Sequence, residues 1–198
     1  FEAGTPNPVW TEASTNFGTP ICDVAGCGTG GGSAGPASGT FWVWFGGFPG
    51  GAENGSVQQS LVIPTGTTTL TFASRLGLCA NGASDFVRLT IDGTELWRRN
   101  GTDASCAAAG YSTNSVNIAS FAGTTPHVVR FESTTIGGTV SNFNLDDISW
   151  NAPAVCTAPT GGNQPVLPVD TLSPYGLLAL LLGVLAIGFF AVQRRNAA

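Results

Sequence analysis

Two adjacent carboxylates, Asp146 and Asp147, end the alternation Phe143-Asn144-Leu145. The period of two puts Phe143 and Leu145 on one strand face and, continued, would put Asp147 on the core side with them. A buried carboxylate needs a partner. Either a bulge re-aims the strand, so that Ile148 rejoins the core and both acids face outward, or an inward acid meets a cation. In the run Phe41-Trp42-Val43-Trp44-Phe45, Trp42 and Trp44 share one face and the other three residues the opposite one. An exposed tryptophan pair could stack on sugar rings, and Trp97 beside Arg98-Arg99 offers a second such ledge. The competing assignment for all three is core packing or, for Trp97, an edge strand guarded by charge.

Catalytic chemistry is sparse. His127 is the only histidine, and no serine or cysteine motif surrounds it. The expectation is a protein that is not an enzyme. Gly26-x-Gly28-x-x-Gly31 fits the dinucleotide fingerprint formally, but 28 glycines make it a chance match, and no buried strand precedes it nor a helix follows. The chain has no lysine, which excludes Schiff-base chemistry and the Walker phosphate loop. Its formal charge of −5 argues against nucleic acid as a partner.

Five cysteines in a Gly/Ser/Thr-rich chain suit an oxidising compartment. Proximity favours Cys22 with Cys27 and leaves Cys79 with Cys106, making Cys156 the odd one. Residue 1 is Phe, which fits removal of a secretory leader.

Short runs must position these groups. Besides 41–45, apolar alternation marks Leu61 with Ile63, Leu70 with Phe72, Val87-Leu89-Ile91, Leu96-Trp97, Val116 with Ile118, Val129 with Phe131, and Phe143 with Leu145. Asp92-Gly93 supplies a hairpin turn. The pattern predicts an all-β fold of eight or nine strands, a jelly-roll-like β-sandwich over residues 1–151. Residues 152–170 carry four prolines and a Gly161-Gly162 pair, the composition of a linker. Residues 171–193 are uncharged and leucine-rich. As a helix they would extend about 34 Å, enough to cross a lipid bilayer. Arg194 and Arg195 then lie on the cytoplasmic side, and the sandwich on the far side.

Thr171-Leu172-Ser173-Pro174-Tyr175-Gly176, the apolar span, and the basic end over 171–198 together resemble the IPTL-CTERM type of bacterial sorting tail. In that pattern proline stands where this chain has Asp170, and tryptophan where it has Tyr175. The resemblance implies an exosortase-like sorting enzyme as partner, transient anchoring in the inner membrane of a bacterium with an outer membrane, cleavage near Thr171, and delivery to the cell surface or extracellular matrix. The domain in turn is similar to jelly-roll carbohydrate-binding modules, on Phe1-Glu2 with Trp10 at its start and Phe143 to Ile148 at its end. That likeness implies a structural calcium, mapped onto Glu2 and Asp146 or Asp147, and extracellular polysaccharide as a ligand. An adhesive or structural surface role is the expected function, with polysaccharide recognition through exposed tryptophans as the alternative.

Overall fold

The computed structural model describes residues 1–151. The expected linker 152–170, the tail segment 171–198 and Cys156 lie outside the described residues. Among the described residues, no helix is long and apolar enough to cross a membrane.

Ten strands form two antiparallel five-stranded sheets. Sheet A runs β1 (Thr11–Ser14), β4 (Glu53–Val62), β9 (Pro126–Thr135), β6 (Phe86–Ile91), β7 (Thr94–Asn100). Sheet B runs β2 (Ile21–Cys22), β3 (Trp42–Gly46), β10 (Asn142–Trp150), β5 (Thr69–Leu78), β8 (Ser112–Asn117). One short helix, α1 (Val24–Cys27), follows β2. Non-consecutive strands are neighbours in both sheets, as a jelly-roll-like sandwich requires.

The alternating apolar residues fill the space between the sheets. Val57, Val87, Leu89, Ile91, Val129 and Phe131 come from sheet A, while Val43, Phe45, Leu70, Phe72, Phe143 and Leu145 come from sheet B. Each such side chain stabilises the fold by about 1.5–3 kcal/mol. Phe72 joins the layers, its ring lying edge-on to Phe131 at 5.0 Å and to Trp97 at 4.9 Å. Asp92 and Gly93 turn β6 into β7 with φ of 49° and 79°, the geometry that an Asp-Gly pair adopts readily. That ten strands form where eight or nine are expected is a matter of composition. Thr11-Glu12-Ala13-Ser14 carries no large apolar residue, and β2 is two residues long, so neither gives a periodic signal.

The cysteines pair as proximity suggests. Cys22–Cys27 closes the turn containing α1, and Cys79–Cys106 ties the end of β5 to the loop before β8.

Candidate functional site

The segment between α1 and β3 decides what the outer face of sheet B can do. Asp23 caps α1, its carboxylate accepting the Gly26 amide at 2.6 Å. The chain then runs through Gly28, Gly30, Gly31, Gly32 and Gly35 back across the sheet as a flap. Its carbonyls accept from two sheet side chains and from Tyr111 just before β8: Gly31 O from Asn142 Nδ2 at 2.5 Å, Gly32 O from Arg75 Nη1 at 2.9 Å, and Gly35 O from Tyr111 Oη at 2.7 Å. Burial and the nearby Asp146 push the Tyr111 hydroxyl well above its ordinary range.

The three tryptophans meet different fates. Trp42 lies on the face of β3 opposite the core residues Val43 and Phe45, yet it is fully buried. Trp97 is 9% exposed, packs on Phe72 within the core and donates Nε1–H to Asn114 Oδ1 at 3.2 Å. Neither presents an open ring to a ligand, which corrects the expectation for both. Trp44 differs. It is half-buried, with Nε1–H fixed on Asn142 Oδ1 at 2.6 Å, and it walls a cleft of about 770 Å³. Phe17, Phe41, Ile21 and the Cys22–Cys27 disulfide form the rest of the apolar wall. Asp23 is the one charged residue lining the cleft among the described residues. Phe17 is 54% exposed and meets Phe48 edge-on at 5.9 Å. The amino-terminal side is held by Glu12, which accepts the Asn7 amide at 2.6 Å and the hydroxyls of Thr5 and Thr19. Sequence reasoning found Trp44 but not Phe17, which lies in a turn with no periodic neighbours.

Glu2, Asp146 and Asp147 do converge, on the loop before β3. Glu2 accepts the amides of Thr40 and Phe41 at 2.9 and 3.2 Å. Asp146 Oδ2 accepts those of Ala37 and Ser38 at 2.8 and 3.2 Å, and Oδ1 that of Asp147 at 2.8 Å. Asp147 takes the Ser38 hydroxyl. A bulge separates the pair: register shifts between Asp146 and Ser149, and Asp147 has φ of 52°. Ile148 accordingly returns to the core and Asp147 is exposed. Asp146 faces outward but is 3% exposed under the loop. Burial pushes its carboxyl above the ordinary value, against the pull of the three amides. No group of three or more His, Cys, Asp or Glu that could hold a metal occurs among the described residues.

Two buried acids went unforeseen because nothing in their neighbourhoods marks them. Glu53, at the start of β4, accepts from Ser14 Oγ at 2.6 Å, from the amides of Thr15 and Asn16, and from Asn16 Nδ2. Asp85 accepts from Asn81 Nδ2, the Ile136 amide and Ser141 Oγ. In a lysine-free chain these acids act as loop clamps on amides and hydroxyls. His127 Nδ1 lies 2.6 Å from Asp92 Oδ2, and that hydrogen bond, with the Val128 amide, holds Asp92 below its ordinary value.

No protein-family model matches the chain, and no curated protein matches it. Solved structures do. TmCBM61, a carbohydrate-binding module solved in complex with β-1,4-galactotriose, aligns with a TM-score of 0.51 at 14% identity, over 77% of this chain and 94% of that one. A structure of promiscuous carbohydrate-binding modules from the β-sandwich superfamily gives 0.50 at 16%, over 77% of this chain and 60% of that one. An adhesin domain of Lys-gingipain from Porphyromonas gingivalis gives 0.47 at 20%, over 77% and 96%. What the first two share with this chain is the β-sandwich fold.

Proposed function

We propose that residues 1–151 are an exported, glycan-binding β-sandwich that gives its bearer adhesion at the cell surface or in an extracellular matrix. The cleft beside Trp44 carries this reading. Half-exposed aromatic rings flanked by hydroxyl side chains suit sugars, whose ring faces are apolar and whose edges are polar. With Asp23 as the only charge on its wall among the described residues, the cleft fits a neutral glycan. The fold likeness to modules that bind carbohydrate and the two disulfides support the same reading. The reading involves binding without turnover: paired-carboxylate hydrolysis needs two facing acids, and among the described residues Asp23 is the single acid on the cleft wall.

Binding of the full chain to a panel of neutral polysaccharides tests it. Trp44→Ala and Phe17→Ala should each weaken binding by roughly tenfold or more, about 1.4 kcal/mol. Phe17 is exposed enough that its loss leaves the fold in place, so no binding by the wild type to any member of the panel would overturn the assignment.

Two further parts complete the proposal. A structural calcium would use Glu2 with Asp146 or Asp147. Glu2 Oε1, Glu2 Oε2 and Asp146 Oδ1 each accept a single hydrogen bond, so lone pairs remain for a hard cation. It would fasten the amino-terminal segment to β10; a melting temperature equal in calcium and in chelator removes it. Sorting through Thr171, Leu172, Ser173, Tyr175, Gly176 and Arg194-Arg195 by an exosortase-like enzyme predicts that the mature protein in its own cells lacks the segment beyond the linker. Intact mass reads this directly, and a full-length species held in membrane would contradict it.

A further inference from the structure

Beneath the flap, sheet B buries more hydrogen-bonding groups than it satisfies. On β10 Phe143 and Leu145 point into the core, which turns Asn142, Asn144 and Asp146 outward. In register, Asn144 lies opposite Trp44 on β3 and opposite Arg75 on β5, and Trp42 is two residues from Trp44 on the same face. Asn144 and Trp42 are fully buried. Four atoms here are buried without a partner: Trp42 Nε1, Arg75 Nε, and both Nδ2 and Oδ1 of Asn144. The other three orphaned atoms among the described residues are hydroxyls of Thr67, Ser133 and Thr135, elsewhere in the fold. Each such group costs about 1–3 kcal/mol when left unpaired. Four in neighbouring rows of one sheet lower stability and call for a partner that the described residues do not supply.

The inventory has a direction. The indole N–H, the guanidinium Nε–H and the amide NH₂ are donors, and only Asn144 Oδ1 accepts. Arg75 also lacks a carboxylate within 4.0 Å among the described residues, whereas Arg88, Arg98, Arg99 and Arg130 each have one. A surplus of donors around an unpaired guanidinium asks for a carboxylate. The lone acceptor asks for a hydroxyl beside it, which an acidic peptide side chain lacks and a uronic acid carries.

We propose that the outer face of sheet B is a second binding site, closed by the flap, for a uronic acid residue of an acidic polysaccharide. The ligand carboxylate takes Arg75 and the Asn144 amide N–H, while Asn144 Oδ1 receives a ring hydroxyl. This site goes beyond the cleft and uses different residues. The flap is fastened to the sheet by hydrogen bonds, its carbonyls accepting from Asn142, Arg75 and Tyr111 and its amides at Ala37 and Ser38 donating to Asp146, so it lifts by exchanging those bonds. Gly77 and Gly32 set how closely it seats, since a Cβ on Gly77 would lie 1.8 Å from Gly32 O. Gly77→Ala must therefore raise the flap. Because apparent affinity is the intrinsic affinity scaled by the open fraction, that variant should bind more tightly than the wild type.

Calorimetric titration of the full chain with an oligogalacturonate tests this, against its carboxyl-reduced counterpart and poly-glutamate as probes. Gly77→Ala should bind the uronide roughly tenfold tighter than the wild type and Arg75→Gln roughly tenfold weaker. Phe17→Ala, which disables the cleft, should lower neutral-glycan binding and leave uronide binding as it is, so failure of one site is distinguishable from failure of the other. Near-UV circular dichroism confirms that each variant is folded. The proposal is overturned by absence of uronide binding in both the wild type and a folded Gly77→Ala, by unchanged affinity in Arg75→Gln, or by equal binding of the reduced oligosaccharide or poly-glutamate.

Discussion

The outer faces of the two sheets solve the same problem in opposite ways. On sheet A the polar side chains are open to solvent and pair with one another. Arg130 and Arg88 both hold Glu132 at 2.6 Å, and Arg88 and Arg98 meet Glu95 at 3.2 and 3.4 Å, with Arg98 lying over the Phe86 ring. On sheet B the flap excludes water, and its amides and carbonyls must stand in for solvent. The acids report the difference. Burial pushes Glu132 up, but hydrogen bonds and charge from Arg130 and Arg88 outweigh it and hold the carboxyl below its ordinary value. Burial over amide donors leaves Asp146 above its own. An exposed face can be left to mutual neutralisation, whereas a covered face keeps a record of every group the cover fails to reach.

Changes at three positions break or sharpen this contrast. The largest removes the joint that both sheets share. Trp97→Ala takes away the ring against Phe72 and should cost about 3–5 kcal/mol by urea denaturation, lowering the stability of both sheets together. Next, Asp146→Ala unpins the flap from β10. It should cost about 1–3 kcal/mol and speed hydrogen exchange at the amides of Ala37 and Ser38, while amides of β9 keep their protection. Smallest, Glu132→Gln on the open face should cost less than about 1 kcal/mol at neutral pH. Its pH dependence is more telling. Glu132 titrates below its ordinary 4.5 when folded, so its stabilisation is present above that value and lost as pH falls through the folded value. The Gln variant should thus lose less stability in acid than the wild type. Asp146 titrates above 3.8 when folded, so its contribution is present below that value and lost as pH rises through the folded one. Asp146→Asn should lose more stability in acid than the wild type. Acid limbs that move in the same direction would show that the two faces do not differ as described.

Much of this arrangement is legible in the residues themselves. Period-two alternation locates the core strands because a strand with one buried face has no other way to arrange apolar side chains. Asp92-Gly93 announces its hairpin, and Asp147 marks a place where the strand must either bulge or bury an acid against a cation, of which the structure has the bulge. Alternation says which face a residue takes and is silent about what lies over that face. Trp42 and Trp44 are legible as sharing one face, but the pattern does not say which face the core takes, nor that Trp42 is fully buried on the side away from Val43 and Phe45. The cleft is only half visible for the same reason, since Phe17, the amino-terminal segment and the disulfide-closed turn reach Trp44 from distant stretches of chain.

The exit point of the chain has a mechanical meaning. Residue 151 follows β10, which lies between β3 and β5. Asn151 is fastened there: its side chain accepts the amides of Thr68 and Thr69, and its own amide binds Thr69 O. Tension applied at this end runs along a central strand whose last residues, Ser149 and Trp150, pair with β5 alone and whose residues 142–145 pair with β3 and β5 both, so the doubly paired stretch sets the resistance. Pulling from residue 151 in a force spectrometer should give one abrupt rupture; a series of small steps would show that the strand unzips.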